Sequence, residues 1–194
     1  MKSQGFTVVE LAVVVVVIGI LAAMVTVGYQ GVKARGYDVA VMSDLDNFVT
    51  AYTNANVGYE TIHDDGNYTR DKLASLNWQA TQDAYDTTVY GNLLFCHNLS
   101  PHPLNPDWGT PPEDRTNWAL VALSKSGATF YVMDSMITPK KYTGTTNLNY
   151  GLGGNVCGVV IDELGAEGFA NVYGGYRIDD TVTGPWRAWA GDND

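Results

Sequence analysis

From Leu11 to Val32 the chain carries no charged residue. As an α-helix this run reaches roughly 33 Å, enough to cross a hydrocarbon core of about 30 Å. One acid, Glu10, sits at the lip of the run. An ionisable group there is costly in lipid and calls for a partner. A secretory signal is a poor match, because its apolar region spans only about 7–15 residues before a small-x-small cleavage site. Ala22-Ala23-Met24 is a weak site of that kind. A simple anchor with an incidental Glu10 is the plain alternative.

The sharper reading starts upstream, at Gly5-Phe6-Thr7-Val8-Val9-Glu10. This stretch resembles the N-terminus of type IV pilins and of the related pseudopilins of type II secretion. The resemblance implies cleavage by a membrane peptidase between Gly5 and Phe6, then N-methylation of Phe6. It also implies that Glu10 pairs with an N-terminal amine during assembly. The chemistry is consistent with both steps. Gly5 has no Cβ and enters a tight cleft easily. The new α-amine has an ordinary pKa of about 7.7–8 and is mostly cationic at neutral pH. Paired between subunits, the two charges would set the axial register of a helix bundle, because a buried ion left without its partner is strongly destabilising. Many of that family carry proline where this chain has Val27. Gly28 and Gly31 follow closely as alternative weak points in the helix, and Gly19 reads as a close-packing position.

Past the apolar run the periodicity changes. Tyr37, Val41, Leu45, Phe48, Tyr52 and Ala55 recur at helical spacing, with Asp38, Asp44, Asp46 and Asn47 placed elsewhere around the axis. The pattern predicts one helix from about Phe6 to Asn56, ending near Gly58. A short helix over Arg70 to Leu76 follows, then a strand over Thr87 to Cys96. A Pro-rich loop over His97 to Thr116 comes next. Asn117 to Leu123 and Ala128 to Met133, joined by Ser124-Lys125-Ser126-Gly127, give the clearest hairpin signal. Thr138 to Asn155 reads as loop and Cys157 to Ile161 as a strand. Phe169 to Tyr173 and Tyr176 to Ile178 read as a hairpin over Gly174-Gly175. The fold class predicted is α+β: a long helix, apolar first and amphipathic second, packed on an antiparallel sheet. The domains are a leader at 1–5, a transmembrane and assembly helix at 6–32, an amphipathic continuation at 33–57, and a β-rich extracytoplasmic head at 58–194.

The chain has 194 residues and a net charge of −10, with 11 Lys and Arg in all. Such a surface repels a phosphate backbone, so no nucleic-acid partner is expected. The 2 cysteines, Cys96 and Cys157, have no CxxC spacing. Behind a membrane segment they are expected to form one disulfide, two buried thiols being the alternative. Lys2 lies before the apolar run, and Lys33 and Arg35 after it. Charge therefore does not orient the helix. The resemblance places the N-terminus in the cytoplasm and the head outside.

Other candidate sites are weaker. Cys96, His97 and His102 lack a zinc-like ligand spacing. Asp162, Glu163, Glu167, Asp179, Asp180, Asp192 and Asp194 are oxygen ligands of the kind calcium takes. Calcium is known in the C-terminal loops of major pseudopilins, and Trp108-Gly109-Thr110-Pro111 is similar in part to a motif of theirs. A solvated acidic surface is the simpler account, and no cofactor is expected. Asn67-Tyr68-Thr69 and Asn98-Leu99-Ser100 match the short glycosylation sequon. The aromatic residues, 12 Tyr and 5 Trp among them, either fill the core or stack on sugars at an adhesive surface. Catalytic motifs are lacking, and no enzyme is expected.

The resemblance thus implies a structural subunit of a type IV pilus-like filament. Its partners would be copies of itself, a prepilin peptidase and N-methyltransferase, and an assembly platform in the cytoplasmic membrane. It would sit in that membrane first, then in an extracellular pilus or a periplasmic pseudopilus. The alternatives are a pseudopilin of a secretion or DNA-uptake system, and a membrane-anchored binding domain that never polymerises.

Overall fold

The computed structural model describes residues 6–55, 73–76, 78–97, 118–134, 136–150, 155–162, 171–177 and 187–190, with the backbone alone at 27, 97, 161–162, 171–177 and 187–190. Two compact units divide the chain, Met1–Gly36 and Tyr37–Asp194. One helix, α1 (Val8–Asn54), begins in the first and ends in the second.

In the second unit six strands form one antiparallel sheet. They are β1 (Gly91–His97), β2 (Trp118–Leu123), β3 (Thr129–Met133), β4 (Met136–Lys141), β5 (Asn171–Arg177) and β6 (Arg187–Ala190). Their order is β4-β3-β2-β1-β5-β6. The β2–β3 hairpin pairs Ala119 with Met133 through to Leu123 with Thr129. Its turn closes with the Gly127 N–H donating to the Ser124 carbonyl at 2.8 Å. Gly127 has φ of 89°, a conformation that favours glycine.

Strand β2 reads Trp-Ala-Leu-Val-Ala-Leu and is buried on both sides. Successive side chains point to opposite faces. Trp118, Leu120 and Ala122 join one core with Leu93, Phe95, Phe130 and Val132. Ala119 and Val121 join a second core with Leu94, Cys96, Tyr131 and Met133. A strand apolar at every position therefore has to be covered twice, and two different elements do so.

The C-terminal half of α1 covers the first face. Val41, Leu45, Phe48, Val49 and Tyr52 are buried there, at the spacing of one helical stripe. Phe48 packs on Tyr52, Trp78, Phe95 and Trp118 with ring centroids 5.2–6.0 Å apart. Aromatic pairs at that range contribute about 0.5–1.5 kcal/mol each beyond their area. Ala55, expected on the stripe, is exposed, because the helix ends at Asn54. Asp44, expected off the stripe, is buried on it. Its carboxylate accepts from the Thr81 N–H at 2.7 Å, the Thr81 hydroxyl at 2.9 Å and the Tyr85 hydroxyl at 3.0 Å. Its carbonyl accepts from Trp78 Nε1 at 2.9 Å. The acid thus ties the helix to the segment around the 3₁₀ turn Gln82–Ala84.

The second face is covered by a short helix, α2 (Val156–Asp162), together with Tyr150. Cys157 on α2 is bonded to Cys96 on β1, with Cα atoms 5.6 Å apart. Four expectations are corrected here. The run Cys157 to Ile161 is helical, not a strand. The supposed loop from Thr138 begins as strand, since β4 reaches Lys141. Gly174-Gly175 is not a turn but the interior of β5, pairing with Phe95 and Leu94 of β1. The strand expected over Thr87 to Cys96 starts later, at Gly91.

Candidate functional site: the N-terminal segment

In the first unit α1 starts at Val8, with Thr7 just before it and the Leu11 N–H donating to the Thr7 carbonyl at 3.2 Å. The first turn of a helix leaves backbone N–H groups without intrahelical acceptors. Here Thr7 and Glu10 answer that need reciprocally. The Glu10 N–H donates to Thr7 Oγ1 at 3.3 Å, and the Thr7 N–H donates to Glu10 Oε2 at 2.8 Å. The Thr7 hydroxyl donates to the same oxygen at 2.8 Å. This is a capping box, Thr-x-x-Glu, and its pattern stands plainly in Thr7-Val8-Val9-Glu10. Sequence reasoning assigned Glu10 a role in register and missed its local one. Oε1 of Glu10 accepts from no described residue.

Beyond the cap the helix is apolar all round. Its described large apolar side chains from Val8 to Val32 are exposed by 48–84%. By length and composition the helix can cross a membrane, and none of its most apolar stretch is buried within the chain. The Thr26 hydroxyl donates to the Ala22 carbonyl at 2.8 Å, so this polar group is satisfied inside the helix. The helix is unbroken through Gly28 and Gly31. A Cβ added at Gly19, Gly28 or Gly31 would meet nothing within 4 Å, so no contact with a described residue requires these glycines.

Phe6, the residue after the expected cut, is 87% exposed. Gly5 lies outside the described residues, as do His102, Trp108 to Pro111, the sequon residues Asn67 and Asn98, and the acids Glu163, Glu167, Asp179, Asp180, Asp192 and Asp194. Asp162 ends α2. Cys96 is a disulfide partner and has no thiolate to offer a metal. Among the described residues no three His, Cys, Asp or Glu gather as a metal site. Trp78 and Trp118 belong to the core rather than to an exposed platform.

The cap and the unburied run stand where one family match falls. Residues 1–26 match the family model of the prokaryotic N-terminal methylation motif. No curated protein and no solved structure matches the chain. Proteins with this motif are structural rather than enzymatic, and the motif implies processing by a prepilin peptidase. Together with the apolar helix it suits anchoring in a membrane. Residues 1–26, the stretch in which Gly5, Phe6 and Glu10 lie, thus carry the prepilin signature of type IV pilins and pseudopilins.

Proposed function

We propose that the chain is a structural subunit of a type IV pilus-like filament. A prepilin peptidase cuts it between Gly5 and Phe6, and it then polymerises through its N-terminal helix at a membrane assembly platform. The methylation motif over residues 1–26 carries this reading. The exposure of the described large apolar side chains from Phe6 to Val32 supports it. Each Val, Leu or Ile moved out of water is worth roughly 1.5–3 kcal/mol when fully buried. Lipid before assembly, and neighbouring helices after it, supply that burial. The cut separates the leader 1–5 from the assembly helix 6–32, its amphipathic continuation 33–57 and the head 58–194.

Glu10 then has two tasks on two oxygens. Oε2 caps its own helix through Thr7. Oε1 is left for the ammonium that the cut creates on Phe6 of a neighbouring subunit. Charge-assisted hydrogen bonds of that kind are roughly twice as strong as neutral ones. Mass spectrometry of filaments sheared from cells tests the processing. The expected chain starts at Phe6 and carries a methyl group, and an intact Met1 in assembled material refutes it. Glu10→Ala tests the register. The precursor should still be cut but should enter filaments poorly, and an unchanged filament yield would sink this role.

A further inference from the structure

The second unit carries a polar groove of about 760 Å³, within the range of about 300–1,000 Å³ typical of small-molecule sites. It lies between the β2–β3 turn, the segment 142–150 and Asp38 of α1. Few of its walls are apolar. Thr145, Thr146 and Asn147 line it with hydroxyls and an amide, the Ser126 and Thr129 hydroxyls are already bonded to Asp38 and Tyr150, and Tyr142 offers a half-buried ring. Two charges of opposite sign, Asp38 and Lys141, share the lining.

Both charges have capacity left over. Oδ1 of Asp38 accepts from the Ser124 and Ser126 hydroxyls, while Oδ2 accepts from no described residue. The Lys141 ammonium is exposed and has no acidic partner among the described residues. In a chain of net charge −10 an unpaired lysine beside a groove is a specific attraction for an anion.

The wall made by 142–150 has no regular secondary structure, yet it is tied along its length. The Tyr142 N–H donates to the Thr129 carbonyl at 2.9 Å, and the Gly91 N–H donates to the Tyr150 carbonyl at 3.0 Å. Asn155 holds the middle. Its Oδ1 accepts from the Asn149 N–H at 2.8 Å, its N–H donates to the Asn149 carbonyl at 3.2 Å, and its Nδ2 donates to the Asn147 carbonyl at 3.3 Å. Asn155 leads directly into α2, which the disulfide fastens to β1. A wall fixed beforehand loses less entropy on binding.

We propose that this groove binds a carbohydrate bearing a carboxylate. A sugar presents hydroxyls that both donate and accept, together with an apolar C–H face. Asp38 Oδ2 accepts from a sugar hydroxyl, and the exposed Thr145 hydroxyl and the Asn147 amide serve others. The Tyr142 ring packs under the C–H face. Lys141 pairs with the sugar carboxylate. A purely aliphatic ligand finds too little apolar wall here, and a nucleic acid meets the wrong net charge.

The test is saturation-transfer NMR on the full chain, held in a detergent without a sugar headgroup. The panel is glucose, N-acetylglucosamine, glucuronic acid and N-acetylneuraminic acid at millimolar concentration. Transfer to an acidic sugar is expected, weaker for its neutral counterparts. Thr145→Trp, on the exposed wall, fills the groove and should abolish it. Lys141→Ala should weaken acidic-sugar binding about tenfold, as for loss of a charge-assisted hydrogen bond, and leave neutral sugars alone. Asp38→Asn should weaken both classes. A near-UV circular dichroism spectrum unchanged from wild type identifies variants that keep the fold. Transfer to no sugar in the panel overturns the proposal. So does transfer that survives Thr145→Trp, or neutral sugars bound as well as acidic ones by the wild type. The measurement needs neither cleavage nor assembly, so its outcome is independent of the filament reading.

Discussion

Asp44 is the most exacting test of how the helix is fastened to the sheet. It is a carboxylate only 6% exposed, on the buried stripe of α1. Asp44→Ala removes the acceptor for three donors. Their environments differ. Thr81 is exposed, so water replaces the carboxylate for its N–H and hydroxyl. Tyr85 is fully buried, and its hydroxyl loses the carboxylate with no water to replace it. A stranded buried donor costs about 1–3 kcal/mol, and each bond exchanged for water about 0.5–1.5 kcal/mol. Relief of burying the carboxylate offsets part of this, which leaves a net loss of about 2–4 kcal/mol. For a chain of this size that lowers Tm by roughly 5–12 °C. Asp44→Asn should lose about half as much. The amide oxygen can serve Tyr85 and the Thr81 N–H, and the Thr81 hydroxyl can rotate to accept from the new amide. The assay is thermal unfolding of the full chain in detergent, followed by near-UV circular dichroism of the Phe48, Tyr52, Trp78 and Trp118 cluster. A double-mutant cycle with Tyr85→Phe sharpens it. Without the Tyr85 hydroxyl no fully buried donor loses the carboxylate, so Asp44→Ala should cost about 1–2 kcal/mol less in that background. An equal cost in both backgrounds would refute the coupling, and with it the role of Asp44 as a clasp.

Three further outcomes are expected. Burial pushes the Tyr150 phenol from its ordinary 10.0 up to about 12. The folded head holds that proton after the unfolded chain has lost it. This stabilisation is complete below pH 10, falls as pH rises toward 12, and should be missing from the alkaline titration of Tyr150→Phe. Replacing Cys96 and Cys157 with serine frees a loop spanning 61 positions. Urea unfolding should show a loss of up to about 4 kcal/mol, with α2 the first element to lose protection in hydrogen exchange. Gly127→Ala meets no atom within 4 Å but keeps a φ of 89°. It should cost about 1–2 kcal/mol from backbone conformation alone, read from a Tm shift with the near-UV spectrum unchanged.

The elements legible in the sequence were those with a long or strongly punctuated pattern. The 47 residues of α1 and the β2–β3 hairpin are of this kind. Short apolar runs were not legible. Val156 to Asp162 could serve as a buried strand or a buried helix, and periodicity alone does not separate the two. Asn155 ahead of it, whose carbonyl accepts from the Val159 N–H at 2.9 Å, was the available helix-start signal. Gly174-Gly175 looked like punctuation because paired glycines usually are. In β5 they lie next to a register irregularity between Phe95 and Cys96, where a strand tolerates glycine. Asp44 was placed on the polar side because a carboxylate is seldom buried. Its partners stand more than thirty positions away, at Trp78, Thr81 and Tyr85, and nothing local announces them. At the N-terminus Gly5, Phe6 and Glu10 were readable as a motif. The Thr7 box was equally readable and was overshadowed by it.

A polymer of such subunits would hold many copies of the same sheet at very high local concentration, which is the setting in which strand edges zip together into cross-β aggregates. The outer strand β4 is built against that outcome. Pro139 has no N–H to lend to an intruding strand, and Lys140 and Lys141 would set like charges against each other in a copy-to-copy pairing. The register of β4 is also broken between Tyr131 and Met133. Growth through the heads is therefore discouraged by the heads themselves, and order in the assembly is left to the helix.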